Sequence, residues 1–346
     1  MNPPNSPLPE APLNRRRWWP LVVTMIALIL ALAAGVVWWL LSREKPGSDP
    51  AQLVSATGSE SVTLADFADQ DTRTWQVVPR GTQVCDGVTF VCDGAIRTAG
   101  MGSGRKYPGA VLDVPVRSSG SRIHLLQASE NSGGAITGAP YGRIILHYTN
   151  RETRRLDLLF AVHGRDWMTN PRSETKPVLD ANTTLGWSEL HPRKGMLIRF
   201  YHTTFVNPLP DVEITSADFV SPLHSANLML FGLAVNNVSP PLAEPWQPGE
   251  ALATIPPTDK VTVSLQDAAG RPLPDGTLAW TAVAARGQVY FPPMRADAQG
   301  RCLLEFQHGT VIQIRYTAAA AGKTVLGEIQ PDATGNFAPS VAIKVE

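Results

Sequence analysis

Hydrophobic and polar positions along this chain fall into two regimes. Residues 18–41, WWPLVVTMIALILALAAGVVWWLL, run for 24 positions without a charge. As a helix, Trp18 to Trp39 would cover roughly 33 Å, about one hydrocarbon core. Paired tryptophans, Trp18 with Trp19 and Trp38 with Trp39, stand at both ends, where amphipathic indoles anchor at a membrane interface. From about residue 61 the pattern changes to short runs of period two between Gly and Pro turns, the mark of half-buried strands. Strands are predicted at 122–127, 143–148, 156–162, 196–203 and 227–235, and then at 260–265, 277–284, 302–307 and 311–317. Asp86-Gly87 predicts a two-residue hairpin turn. A short helix is predicted over 61–69.

These patterns divide the chain. Residues 1–17 read as a cytoplasmic tail, 18–41 as a transmembrane helix and 42–60 as a polar linker. Residues 61–236 form one β unit, 237–258 a Pro-rich linker and 259–346 a second β unit. The expected fold class is all-β: two antiparallel β-sandwich domains, jelly-roll-like and then Ig- or prealbumin-like, behind one N-terminal transmembrane helix. A cleaved signal peptide is the rival reading of 18–41, but its apolar region should be about 7 to 15 residues, and this run continues through Trp39. Arg15, Arg16 and Arg17 before the span outnumber Arg43 and Lys45 after it. That bias puts the N-terminus in the cytoplasm and the body in the periplasm or outside the cell.

Composition narrows the partners. Thirty basic and 30 acidic residues cancel, and no region is basic enough to neutralise a row of phosphates, so a nucleic-acid partner is not expected. The seven histidines, His124, His147, His163, His191, His202, His224 and His308, show no metal-binding spacing. No metal site and no cofactor are expected. Gly100, Gly102 and Gly104 make a Gly-rich loop without the rest of a phosphate-binding fingerprint. In an exported body Cys85 and Cys92 suggest a disulfide. The Asp86-Gly87 turn argues against it, because it sets Cys85 opposite Val88 and Cys92 opposite Gly81, out of reach of each other.

Two stretches carry resemblances. WQVVPRGTQVCDGVTFVCDGAIRTAG (75–100), RIHLLQAS (122–129), YGRIILHYTN (141–150), RDWMTNP (165–171), YHTTFVNPLPDVEITSADFVS (201–221) and NLMLFGLAV (227–235) together resemble the galactose-binding-like β-sandwich modules of bacterial secreted and envelope proteins. VTVSLQDAAGRPLPDGTLAWTAV (261–283), RADAQGRCLLEF (295–306) and IQIRYTAAAAGK (312–323) resemble carboxypeptidase-regulatory-like domains. The first resemblance implies a module that binds glycans in some proteins and only packs or spaces in others. The second implies a non-catalytic Ig-like sandwich.

Candidate ligand groups come from aromatics near loops, since sugar C–H faces stack on exposed rings. Trp167, Trp187, Tyr107 and Tyr141 are the candidates, with Arg165 and Asp166 placed to hydrogen-bond hydroxyls; Trp75 and Trp187 also suit a core role. The expected function is a non-catalytic, single-pass envelope protein whose sandwiches bind or scaffold, with a carbohydrate or an envelope protein as ligand. Two alternatives stand beside it. One is a tethered hydrolase using Asp113, Glu130, Asp166 or Glu189; the other is the ectodomain of a signalling complex.

Overall fold

The computed structural model describes Leu53–Val54 and residues 60–69, 72, 74–101, 103, 106–172, 176–237, 242–247, 255–285 and 287–345. The expected tail, transmembrane helix and most of the first linker lie outside the described residues. Among the described residues no helix is long and apolar enough to cross a membrane. Gln52–Glu346 forms one compact unit.

The described chain is all-β. Its first fourteen strands are β1 (Leu53–Val54), β2 (Glu60–Val62), β3 (Gly81–Cys85), β4 (Val88–Cys92), β5 (Ile96–Arg97), β6 (Ala110–Ser118), β7 (Arg122–Glu130), β8 (Pro140–Tyr148), β9 (Thr153–Leu159), β10 (Met168–Thr169), β11 (Thr183–Leu190), β12 (Leu197–Val206), β13 (Ile214–Val220) and β14 (Asn227–Asn236). Seven more follow the Pro-rich segment: β15 (Thr258–Gln266), β16 (Thr277–Ala284), β17 (Gly287–Arg295), β18 (Arg301–Gln307), β19 (Gln313–Ala320), β20 (Lys323–Ile329) and β21 (Ser340–Lys344). The expected helix over 61–69 is replaced by β2 and turns. Ser61 and Val62 of β2 pair with Ala234 and Leu233 of β14, and that pairing supplies backbone partners a lone turn of helix lacks.

The N-terminal half has three layers. One sheet runs β1-β2-β14-β7-β12-β10, with β11 added on β12 and β5 on β14; the second runs β6-β13-β8-β9. Alternation along β7 explains the layering. Ile123 and Leu125 join the core between these sheets. Leu126 and Ala128, on the opposite face, pack with Phe90, Phe200 and Phe231 beneath the β3–β4 hairpin. Pro115 lies in β6, at the edge of its sheet, where a strand tolerates a missing N–H. The hairpin keeps the register its turn dictates, with Cys85 opposite Val88 and Cys92 opposite Gly81. Both thiols are free and buried, and burial raises them to about 11 and about 12.

The C-terminal half stacks β18-β15-β21 against β17-β16-β19-β20. Here β21 returns parallel to β15. Its core, centred on Trp280 stacked on Phe291 at 3.9 Å, also takes in Ala99, Tyr107, Ala110 and Leu223 from the first half. Gly109 marks how close the halves come: its N–H donates to the Tyr290 carbonyl at 2.6 Å, and a Cβ there would meet the Phe291 ring at 2.6 Å. Beside this contact Glu305 of β18, 9% exposed, accepts from Arg143 at 2.6 Å and from Arg155 at 2.8 Å. The halves therefore share apolar core and a buried ionic junction.

Candidate functional site

The face of β7, β12 and β14 that carries Leu126, Phe200 and Phe231 is apolar under the hairpin and turns polar beyond its tip. Continuing the same alternation, β7 presents His124 and Arg122, β12 presents His202 and Thr204, and β14 ends with Asn236. Register assembles them: His124 lies opposite Thr204 and Ala234, and Arg122 lies opposite Asn236. Thr184 of β11 pairs with His202. The Asp86-Gly87 turn closes one side of the space above them, with Asp86 held in the left-handed region at φ 47°. Leu242 and Ala243 close another side, because Asn182 both donates to and accepts from the Ala243 backbone, at 3.0 and 2.8 Å. The result is a cavity of about 380 Å³ in which polar side chains stand among apolar surface from Val88, Ala181, Leu242 and Ala243.

Its groups form one hydrogen-bonded line. Thr184 donates to Asp86 Oδ2, which also faces His202 Nδ1 at 3.0 Å. His202 Nε2 lies 3.1 Å from His124 Nδ1, and His124 Nε2 faces Asn236 Oδ1 at 3.0 Å. The hydrogen bond from Thr184 holds the Asp86 carboxyl below the usual carboxylate range, with His202 adding to the effect. Burial lowers His202 and pushes His124 down to about 4. Arg122 Nε is a buried donor with no hydrogen-bond partner, a condition that costs about 1–3 kcal/mol unless an acceptor arrives.

These titrations set an acid limit. Burial also takes His163 and His224 down to about 4, against roughly 6.5 for an unfolded imidazole. Between those values the unfolded chain binds the extra protons, so the stabilisation is complete above about pH 6.5 and is lost toward pH 4. His147, raised by its hydrogen bond to Asp218, works in the opposite sense, one group against four. The urea midpoint should therefore fall steadily between pH 6.5 and 4.5; a flat profile there would contradict the burial of these rings.

The six residues read from the sequence lie elsewhere. Trp167 stacks on Trp75 at 4.7 Å and 17°. The Arg97 guanidinium caps Trp75 at 4.7 Å and Tyr107 at 3.9 Å. One pile thus joins Trp167, Trp75, Arg97 and Tyr107. Tyr107 is 6% exposed and Tyr141 0%, which corrects the expectation that both rings face a ligand. Tyr141 instead fills the core and donates its hydroxyl to Gln127. Trp187 tilts against Phe200 at the cluster edge. Arg165 donates to the Pro177 carbonyl, and Asp166 accepts from Ser132 Oγ at 2.6 Å. Of the hydrolase candidates, Glu130 pairs with Arg97, while Asp113 and Glu189 are exposed on β6 and β11.

Sequence reasoning missed the His124, His202 and Asp86 constellation. The available signal was a polar position amid apolar alternation in two strands, but only the pairing of β7 with β12 joins residues 78 positions apart. Among the described residues no group of three or more His, Cys, Asp or Glu is placed to hold a metal ion.

Comparison with known proteins adds little to this geometry. No family model matches the chain, and no curated protein matches it. One solved structure it is similar to is described as the crystal structure of the group B streptococcus pilus 2b backbone protein. That match has 8% identity and a TM-score of 0.22, covering 78% of this chain and 96% of the other. Similarity at that level carries no inference about function. The fold itself defines the class: an all-β protein of stacked antiparallel sheets.

Proposed function

We propose that the protein is a non-catalytic, membrane-anchored β-sandwich protein of the cell envelope whose N-terminal sandwich binds a glycan in the cavity above β7, β12 and β14. The observation that carries this reading is the cavity wall. Arg122, Asn182, Thr184, Thr204, Asn236 and the histidines line a space of about 380 Å³, within the range of small-ligand sites. Hydroxyl groups both donate and accept, and this wall offers both. Arg122 and Asn182 place donors on this wall, and burial disfavours the charged imidazoles. The galactose-binding-like resemblance and the charge-free run at 18–41 support the glycan and the anchor respectively.

Glycans displayed as an array to the full-length protein should return a defined set. Arg122→Ala and Asn182→Ala should each weaken binding of those glycans at least tenfold, since each removes a wall group and Asn182 also fixes Ala243. Trp167→Ala should leave it unchanged. An array without binders, or binding indifferent to both cavity variants, would sink the proposal.

An enzymatic reading has one observation in its favour. Asp86, His202 and Thr204 stand in carboxylate–imidazole–hydroxyl order, with Thr204 Oγ1 3.4 Å from His202 Nε2, the sequence of roles used in nucleophilic hydrolysis. Against it, the Thr204 hydroxyl lies nearer to His124 Nδ1, at 3.0 Å. Cleavage of a bound glycan that ceased in His202→Gln would favour the enzyme.

A further inference from the structure

The two imidazoles of the cavity face each other, and when both are neutral their inner nitrogens compete for few hydrogens. His124 Nε2 faces an oxygen acceptor, Asn236 Oδ1, at 3.0 Å, and His202 Nδ1 faces Asp86 Oδ2 at 3.0 Å. A ring nitrogen directed at an acceptor carries the hydrogen, and a neutral imidazole has only one. Nδ1 of His124 and Nε2 of His202 are then both bare, and they face each other at 3.1 Å. Thr204 Oγ1 sits 3.0 Å from the first and 3.4 Å from the second, and its single hydrogen can serve only one of them. A proton shared between these nitrogens, or a metal ion bound by both, would satisfy them.

The spacing also suits a metal ion. With metal–nitrogen bonds of about 2.0–2.1 Å, two nitrogens on one ion lie roughly 2.9 Å apart at a right angle and roughly 3.3 Å apart at the tetrahedral angle. The observed 3.1 Å falls between these, and the Thr204 hydroxyl, at 3.0 and 3.4 Å, occupies a third corner. The outer nitrogens are already supported as metal-bound imidazoles usually are: Asp86 gives His202 a carboxylate partner, and Asn236 gives His124 an amide oxygen.

We propose that His124 and His202 form a two-imidazole site for a borderline transition cation such as Zn²⁺, with Thr204 at the third corner and the remaining positions open to the cavity. The bare inner nitrogens are the metal ligands, and Asp86 is a positioning residue that fixes the His202 tautomer. Oxygens of water or of a cavity ligand complete the coordination. The site stands on the histidine geometry alone and does not require the glycan reading.

Calorimetric titration of the full-length protein with Zn²⁺ near pH 7 tests it. One site per chain is expected. His124→Gln and His202→Gln, which keep a polar side chain of moderate size, should each lower its affinity more than tenfold. Asp86→Asn should lower it by about 10–100-fold, as loss of an outer partner does at other metal sites. In protein labelled with ¹⁵N-histidine, Zn²⁺ should shift Nδ1 of His124 and Nε2 of His202. With the Asn236 amide reversed, its nitrogen would donate to His124, which would in turn donate to His202, and no metal would bind. Absence of a binding isotherm, a site that survives both histidine substitutions, or shifts confined to His191 and His308 would each overturn the proposal.

Discussion

Replacing Arg97 with leucine should cost about 3–5 kcal/mol of folding stability, the usual penalty for removing one partner from a buried ion pair. Arg97 is 3% exposed. Its Nε donates to Glu130 at 3.1 Å and its Nη1 to Asp69 at 3.0 Å, and its planar face covers Trp75 and Tyr107. Among the described residues, the substitution leaves Glu130, 9% exposed, with the weak donation of Asn227 at 3.3 Å. Leucine also cannot cap both rings at once. Urea denaturation checks this directly. The double variant Arg97→Leu with Glu130→Gln should recover a substantial part of the loss, because the uncompensated carboxylate is then gone. A single variant within 1 kcal/mol of wild type would show that the pile contributes little.

Glu305→Leu should cost about 3 kcal/mol by the same reasoning, and its effect should be localised. Glu305 belongs to β18 of the C-terminal sandwich, whereas Arg143 and Arg155 belong to β8 and β9 of the N-terminal one. Arg143 is 3% exposed and, among the described residues, keeps Asp157 at 3.1 Å as its ionic partner once Glu305 is lost. The junction, more than either core, therefore takes the damage. Differential scanning calorimetry should show one transition in the wild type and a broadened or split transition in the variant as the halves uncouple. A sharp single transition at the wild-type temperature would mean that the shared apolar contact around Gly109 and Phe291 suffices alone.

How far the sequence revealed this protein depends on the range of the interaction that fixes each element. The β3–β4 hairpin is legible because Asp86-Gly87 sets its register locally. Strands such as β7, β12 and β14 are legible because one or both of their faces are apolar. β6 is not, since Pro115 reads as a strand breaker in sequence and its pairing with β13 carries two register shifts. β21 is not, because its partner β15 lies some eighty positions earlier. The ligand groups fared worse for the same reason. Exposed aromatics near loops gave a rational guess, yet Tyr141 and Tyr107 are spent on packing, and Trp167 is stacked on Trp75. The polar cavity needs three facts absent from any single stretch: the pairing of β7 with β12, the third layer formed by the hairpin, and the docking of Leu242–Ala243 on Asn182. The Pro-rich segment reads as a linker from composition, but its role as a cavity wall belongs to tertiary structure.

The central claim is that ligand recognition takes place in the cavity above β7, β12 and β14. Hydrogen exchange on the full-length protein, with and without a glycan identified on the array, tests it most directly. The account predicts slowed exchange at the Asp86–Val88 turn, at Asn182–Thr184 and at Leu242–Ala243, with residues around Trp75 and Trp167 unchanged. Protection centred on Trp75 and Trp167, or protection nowhere, would contradict it.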